Sequence, residues 1–146
     1  MIAVRSKITK FIALISGLGI IDTAYLSWQH FNYNPLQCSF FSGCDIVTTS
    51  RFAVIGGIPL ALIGLLFYAI VFILNLISEK HRSAQKILLI LATIGFGVSV
   101  VLLYLQIFVI KALCIYCLTS FATSTLIFIA LLSSLRKNKN PIASTR

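Results

Sequence analysis

Four uninterrupted apolar runs, at 8–28, 58–77, 87–110 and 113–135, constrain this chain of 146 residues more than any other feature. Crossing the hydrocarbon of a bilayer takes about 20 helical residues, and each run reaches that length. Apart from Lys10 at the first margin, the four runs contain one formal charge, Asp22. Backbone groups in lipid must bond within their own segment, so runs this long are helices; the alternating pattern of a membrane barrel is absent. Composition agrees, because 59% of the residues are apolar, only 10% are charged, and the mean hydropathy is +1.02. A soluble globule carries about a quarter of its residues charged. Disorder, a collagen repeat and a small disulfide-stapled soluble fold are excluded on the same grounds. The expected fold is an all-α membrane protein: a four-transmembrane-helix bundle within residues 1–135, then a polar tail at 136–146.

The net charge of +9 raises the question of nucleic acid, and its distribution answers it. The basic residues cluster at the ends of the apolar runs: Arg5, Lys7 and Lys10; Lys80, Arg82 and Lys86; Arg136, Lys137 and Lys139, with Arg146 beyond. No aromatic-interleaved basic stripe accompanies them, so no nucleic-acid partner is expected. Four crossings put both termini on one side, which then holds ten of the twelve Lys and Arg, leaving Arg51 and Lys111 opposite. The positive-inside rule therefore puts the termini in the cytoplasm, with the cell (inner) membrane as the expected location. The first run has a basic lead but no small-x-small cleavage pattern, and Trp28 ends it like an interfacial anchor, so it is a retained span. Outside lie a turn near Lys111 and a long loop, 29–57, closed by Gly56, Gly57 and Pro59. Within that loop, 45–55 predicts a short helix on the membrane surface, with Phe52, Val54 and Ile55 dipping inward.

With this topology all four cysteines face the external side, periplasmic or extracellular, where disulfides form and persist. Cys38 and Cys44 are in the long loop, and Cys114 and Cys117 open the last span. Inert buried cysteines are the bland reading, and a four-cysteine zinc site is another, since C-x-x-C spacing also serves metals. Thiol–disulfide chemistry fits better. Residues i and i+3 of a helix share a face, so Cys114 and Cys117 can close a disulfide with modest adjustment. Cys114 lies in the first turn, where free amide groups, the helix dipole and nearby Lys111 favour a thiolate; Cys117, one turn deeper, is expected in a drier setting. Unequal sulfurs suit a redox pair. Cys38 and Cys44 flank a small loop with Ser39, Ser42 and Gly43, which suits an exposed, labile bond. Two such pairs imply a relay, and its electrons need an acceptor at the bundle mouth. No haem, flavin or iron–sulfur signature is present. A flat, lipid-soluble quinone fits what is left.

The order Cys38-x5-Cys44-Asp45, Ser50, Gly57-Ile-Pro59 with Gly64 and Tyr68, then Cys114-x2-Cys117 resembles the vitamin K epoxide reductase family, and more narrowly its bacterial homologues, over about 17–132. The resemblance implies roles residue by residue. Cys38 exchanges with a separate thioredoxin-fold carrier, because this chain has no fused thioredoxin-like domain; Cys44 attacks Cys114; Cys117 faces the quinone and closes the active disulfide again. Ser50 matches a serine that orders the loop over the pocket. Where the vertebrate branch has an Asn and a Tyr that hold the quinone carbonyls, this sequence has Leu60 and Phe121. That favours plain reduction of a ubiquinone- or menaquinone-type acceptor over epoxide reduction.

The function expected is oxidation of thiols in that carrier, supporting disulfide bond formation in exported proteins. Quinone or vitamin K epoxide reduction for the quinone's sake is one rival, and a four-span transporter with structural disulfides and a proton-coupling Asp22 is another. Asp22 is costly within a span and so a functional candidate; a carboxylate hydrogen-bonded within the bundle is the alternative. His30 reads as an interfacial anchor, and Gly17, Gly19, Gly64, Gly95 and Gly97 as sites of close helix approach.

Overall fold

The computed structural model describes residues 2–32, 43–78 and 81–139. Helix α1 is Ile2–Phe31. The short helix α2, Cys44–Thr49, and a single 3-10 turn, Arg51–Ala53, follow. Strands β1, Val54–Ile55, and β2, Ile58–Pro59, then lead into α3, Leu60–Ser78. Helix α4, Arg82–Tyr104, continues as a π-helical stretch, Leu105–Ile110, and α5 is Ile115–Lys139. Four helical segments are long and apolar enough to cross a membrane: Ser6–Phe31, Leu60–Ser78, Ser83–Ile110 and Ile115–Leu135. The third and fourth sequence runs are therefore extended rather than displaced, with α5 running four residues into the segment expected as tail.

The helices form a ring in which α1 touches α3 and α5, and α4 touches the same two. One long connection, between α1 and α3, and two short ones, α3–α4 and α4–α5, join them in sequence. Hydroxyl-bearing side chains pack inside beside aliphatic ones. On α1, Ile12, Ile15, Ser16, Thr23, Leu26 and Ser27 are buried, while Phe11, Leu14, Leu18, Ile21, Tyr25 and Trp28 are exposed at the same three-and-four spacing. A water-soluble helix turns its large apolar residues inward. The reverse is expected in lipid, where tails solvate Leu as well as a core does and small residues let helices approach. Buried hydroxyls are satisfied locally: Ser16, Thr23 and Ser27 donate to the carbonyls four residues earlier, at 2.7, 2.7 and 2.8 Å. Gly19 leaves room for the ring of Tyr68, since a Cβ there would lie 2.6 Å from it, and Gly95 does the same for Phe67. Gly17 and Gly97 face open space, so the expected close approach does not occur at those two.

Tyr68 is 1% exposed, and its hydroxyl reaches from α3 to α5. It lies 2.7 Å from Thr123 Oγ1 and 3.0 Å from both Ser120 Oγ and Ser124 Oγ, and donates toward the Ser120 carbonyl at 2.9 Å. At the far end Asn75 Nδ2 donates to the Thr9 carbonyl at 2.8 Å, tying α3 to α1.

The expected surface helix stops earlier than its apolar pattern suggested. Helix α2 ends at Thr49, and Val54 and Ile55 pair antiparallel with Pro59 and Ile58 in a tight hairpin. Both loop residues have positive φ, Gly56 at +59° and Gly57 at +84°. A two-residue hairpin loop requires that, and glycine alone adopts it cheaply. The Gly-Gly pair outweighs the weak amphipathic signal of 52–55.

Candidate functional site

One end of the bundle gathers the C-terminal end of α1, the starts of α3 and α5, and the π-helical end of α4, with α2 laid across them. Leu26, Cys44, Val47 and Cys114 form a buried cluster there, backed by Ala61, Ile110, Ala112, Ile115, Tyr116 and Cys117. Two of the three described cysteines thus meet in one cluster although 70 residues separate them in sequence. Cys44 is disulfide-bonded, whereas Cys114 and Cys117 are free thiols. Cys38 lies outside the described residues.

Gly43 brings α2 to this position. A Cβ on it would lie 2.9 Å from both the nitrogen and the carbonyl oxygen of Leu113 and 3.0 Å from the Ala112 side chain. Bare backbone at 43 therefore rests on the peptide next to Cys114, and the following residue, Cys44, begins α2 in the cluster that holds Cys114. Ser50 ends that helix. Its hydroxyl donates to the Val47 carbonyl at 2.7 Å and its carbonyl accepts from the Ala53 amide at 3.0 Å, so it turns the chain over the bundle mouth.

Cys114 caps α5. Its carbonyl accepts the first helical bond from the Leu118 amide at 3.0 Å. Its thiol is lowered from the ordinary 9.0 to about 7, chiefly because the Cys117 S–H hydrogen-bonds to it; burial opposes this, the backbone amides of Cys117 and Tyr116 assist, and the charge of Asp22 opposes. The helix-start amides expected from the sequence do act here. Lys111 does not: its charge is not among the groups acting on Cys114. It serves instead as the left-handed residue, φ 55°, that ends the π-helical stretch. Cys114 is fully enclosed, under α2, while Cys117 is half-buried and opens on a cavity.

That cavity has a volume of about 650 Å³. Leu60, Gly64 and Phe67 of α3, Ile94, Val98 and Leu102 of α4, and Phe121 of α5 wall it; Tyr68, Ser120 and Ser124 form its polar floor; Ser50 and Phe52 roof it. Ser50, Leu60, Cys117 and Phe121, separated in sequence by up to 71 positions, all line this one space. His30, read as an interfacial anchor, lines it too. Asp22 does not. Its Oδ2 is buried without a hydrogen-bond partner among the described residues, so the expected bond within the bundle is not made by that atom.

A family model for the vitamin K epoxide reductase family matches residues 10–132 of this chain. The chain belongs to the vitamin K epoxide reductase family. Membership makes it a membrane redox enzyme, a quinone-linked thiol oxidoreductase. Vitamin K epoxide reductase family members use quinones and generally work with thioredoxin-like partners. The residues present fit such a group: the cavity has the size of a small-molecule site, apolar walls for a flat ring, few polar groups, and a thiol on its surface. Among the described residues no group of three or more His, Cys, Asp or Glu could hold a metal ion.

One polar residue of this site was passed over in the sequence. Gln106, 3% exposed, lines the cavity from the π-helical stretch. Its backbone carbonyl accepts from the Lys111 amide and, at 3.2 Å, from the Ala112 amide, and its side-chain Oε1 accepts from the Cys114 amide at 3.2 Å. A neutral amide within an apolar run was the available signal, and a charge count does not register it.

Proposed function

We propose that this protein oxidises a separate thioredoxin-fold carrier and passes the electrons through two cysteine pairs to a quinone, supporting disulfide bond formation in exported proteins. The reading is carried by one observation: Cys44 and Cys114 share a buried cluster above a cavity on which Cys117 opens. Cys38 exchanges with the reduced carrier, which leaves oxidised while the loop pair becomes a dithiol. Cys44 then attacks the Cys114 sulfur, and the Cys114–Cys117 bond breaks with its electron pair on Cys117. Attack of Cys38 on Cys44 releases Cys114 as a thiolate, a good leaving group because its thiol titrates at about 7. A disulfide at Cys44 with free thiols at Cys114 and Cys117 matches the state after this transfer.

A bound quinone supplies a two-electron, two-proton acceptor. Cys117, facing the cavity, gives up its proton there, and Cys114 closes on Cys117 as two electrons and the second proton leave the pair. Ser50 holds the roof, and Leu60 and Phe121 flank the ring without polar contacts. The cysteine end faces the periplasm or cell exterior, and both termini face the cytoplasm. Leu60 and Phe121 themselves offer no donor to an epoxide or carbonyl oxygen, which favours reduction of the quinone over that of its epoxide.

The test follows quinone absorbance after the purified protein is mixed with a reduced thioredoxin-fold carrier. Turnover is expected with the native chain. Cys44→Ala should still form a mixed disulfide with the carrier through Cys38 while quinone reduction stops. Near-native turnover by Cys44→Ala overturns the relay order, and reduction of a quinone epoxide at a rate comparable to the quinone would reassign the substrate.

A further inference from the structure

We infer that the side-chain amide of Gln106 is the hydrogen-bond donor that holds a carbonyl oxygen of the quinone in the cavity beside Cys117. One end of the Gln106 amide is already committed. The Cys114 backbone N–H is a donor, so the atom it meets at 3.2 Å must be the amide oxygen, and the orientation of the group follows. The NH2 end is then directed elsewhere. It makes no hydrogen bond among the described residues, yet Asp22 Oδ2 is the one fully buried side-chain polar atom left unpartnered among them, so Nε2 has access to open space. The open space next to Gln106 is the cavity that it lines together with Cys117, Ser120 and Phe121.

Two physical points turn this opening into a binding group. An amide N–H left without an acceptor in an apolar setting is costly, so such a group is stable only if something else fills the role. A quinone offers two carbonyl acceptors and no donor. The floor hydroxyls of Tyr68, Ser120 and Ser124 are already bonded to one another, whereas the Gln106 amide is held by its other end and keeps its donor hydrogens free. It is therefore preorganised, and little freedom is lost when a carbonyl docks. Its place in a π-helical stretch fits, since such insertions accompany functional sites. Because the same residue anchors the Cys114 amide, one side chain would couple the position of the ring to that of the cysteine pair.

The inference rests on the cavity being the quinone site, and the experiment separates the two. A short-chain azido-naphthoquinone is photolysed with the native protein in lipid nanodiscs, and labelled peptides are mapped. Binding of 2-methylnaphthoquinone and of its carbonyl-free analogue 2-methylnaphthalene is then measured for the native chain, Gln106→Leu and Gln106→Met, the last an unbranched replacement should leucine fold poorly. The carbonyl stretch of 13C-labelled quinone is recorded in each. Label is expected on the peptide bearing Cys117 and Phe121. Quinone binding should weaken about tenfold in both variants, 2-methylnaphthalene should bind no more weakly than to the native chain, and one carbonyl stretch should move to higher frequency. Cavity labelling with equal losses for both ligands, or with no loss, overturns the role of Gln106 and leaves the cavity reading standing. Labelling confined to residues outside the cavity overturns both.

Discussion

At the scale of single residues, the chemistry depends on making two identical thiols unequal. Cys114 and Cys117 are three residues apart, yet one caps a helix under α2 and the other faces an apolar cavity. The Cys117 S–H is the largest influence lowering Cys114 from 9.0 to about 7, ahead of the backbone amides at the helix start. A thiol reacts as its anion, so alkylation of Cys114 in the reduced protein should rise with pH around a midpoint near 7, not near 9. Replacing Cys117 with Ala removes the main stabilising hydrogen bond and should carry the midpoint back upward, slowing alkylation at pH 7 by several-fold. Iodoacetamide trapping followed by peptide mass spectrometry reads both. An unchanged midpoint in Cys117→Ala would mean that the helix-start amides alone hold the thiolate. Asp22 bears on the same pair, since its charge works against the Cys114 anion, and it is the one formal charge within the bundle's interior length.

At the scale of elements, the proposed relay between the two cysteine pairs depends on α2. That helix is six residues long and has little hydrophobic surface of its own. Its position is set by the contact of Gly43 with the Leu113 backbone and the Ala112 side chain. Gly43→Ala inserts a methyl where 2.9 Å is available, and backbone cannot yield as a side-chain tip would, so α2 should lift from Cys114. Transfer between the pairs should fall on the order of a hundredfold, as a displacement of about 1 Å at a reacting atom can cause. With α2 lifted, Cys114–Cys117 is uncovered, so dithiothreitol should drive quinone reduction in the variant without the loop pair. Loss of the dithiothreitol-driven rate as well would mean that the substitution damaged the bundle itself. The long helices were legible in the sequence because bilayer length and backbone satisfaction leave no other choice for such apolar runs. The cysteine pattern and the cavity residues Ser50, Leu60 and Phe121 were legible through family resemblance. What escaped was non-local or neutral. Cys114 is covered by α2, a segment 70 positions away, so no local rule could rank its burial above that of Cys117. Val54 and Ile55 looked helical until the Gly56-Gly57 turn closed them into a hairpin. Gln106 altered neither the charge nor the length of its run.

At the scale of the whole molecule, the two ends of the bundle differ in kind. One carries Cys44, Cys114, Cys117 and the cavity mouth; the other carries the start of α1, the α3–α4 connection and the end of α5, where nine of the twelve Lys and Arg cluster. Positive charge is retained on the cytoplasmic side of short connections, and disulfides persist only away from the glutathione-reduced cytosol. The two rules are independent, one concerning charge translocation and the other redox poise, and both orient this bundle the same way. The orientation is testable without touching a catalytic sulfur. Thr49→Cys puts a thiol on the exposed face at the end of α2, and Ser83→Cys puts one on the exposed first turn of α4. With the bilayer sealed, an impermeant maleimide should label the Thr49→Cys peptide fully and the Ser83→Cys peptide only after permeabilisation. The reverse pattern would set both cysteine pairs against a reducing compartment, where a carrier oxidised by this chain would be reduced again as fast as it formed.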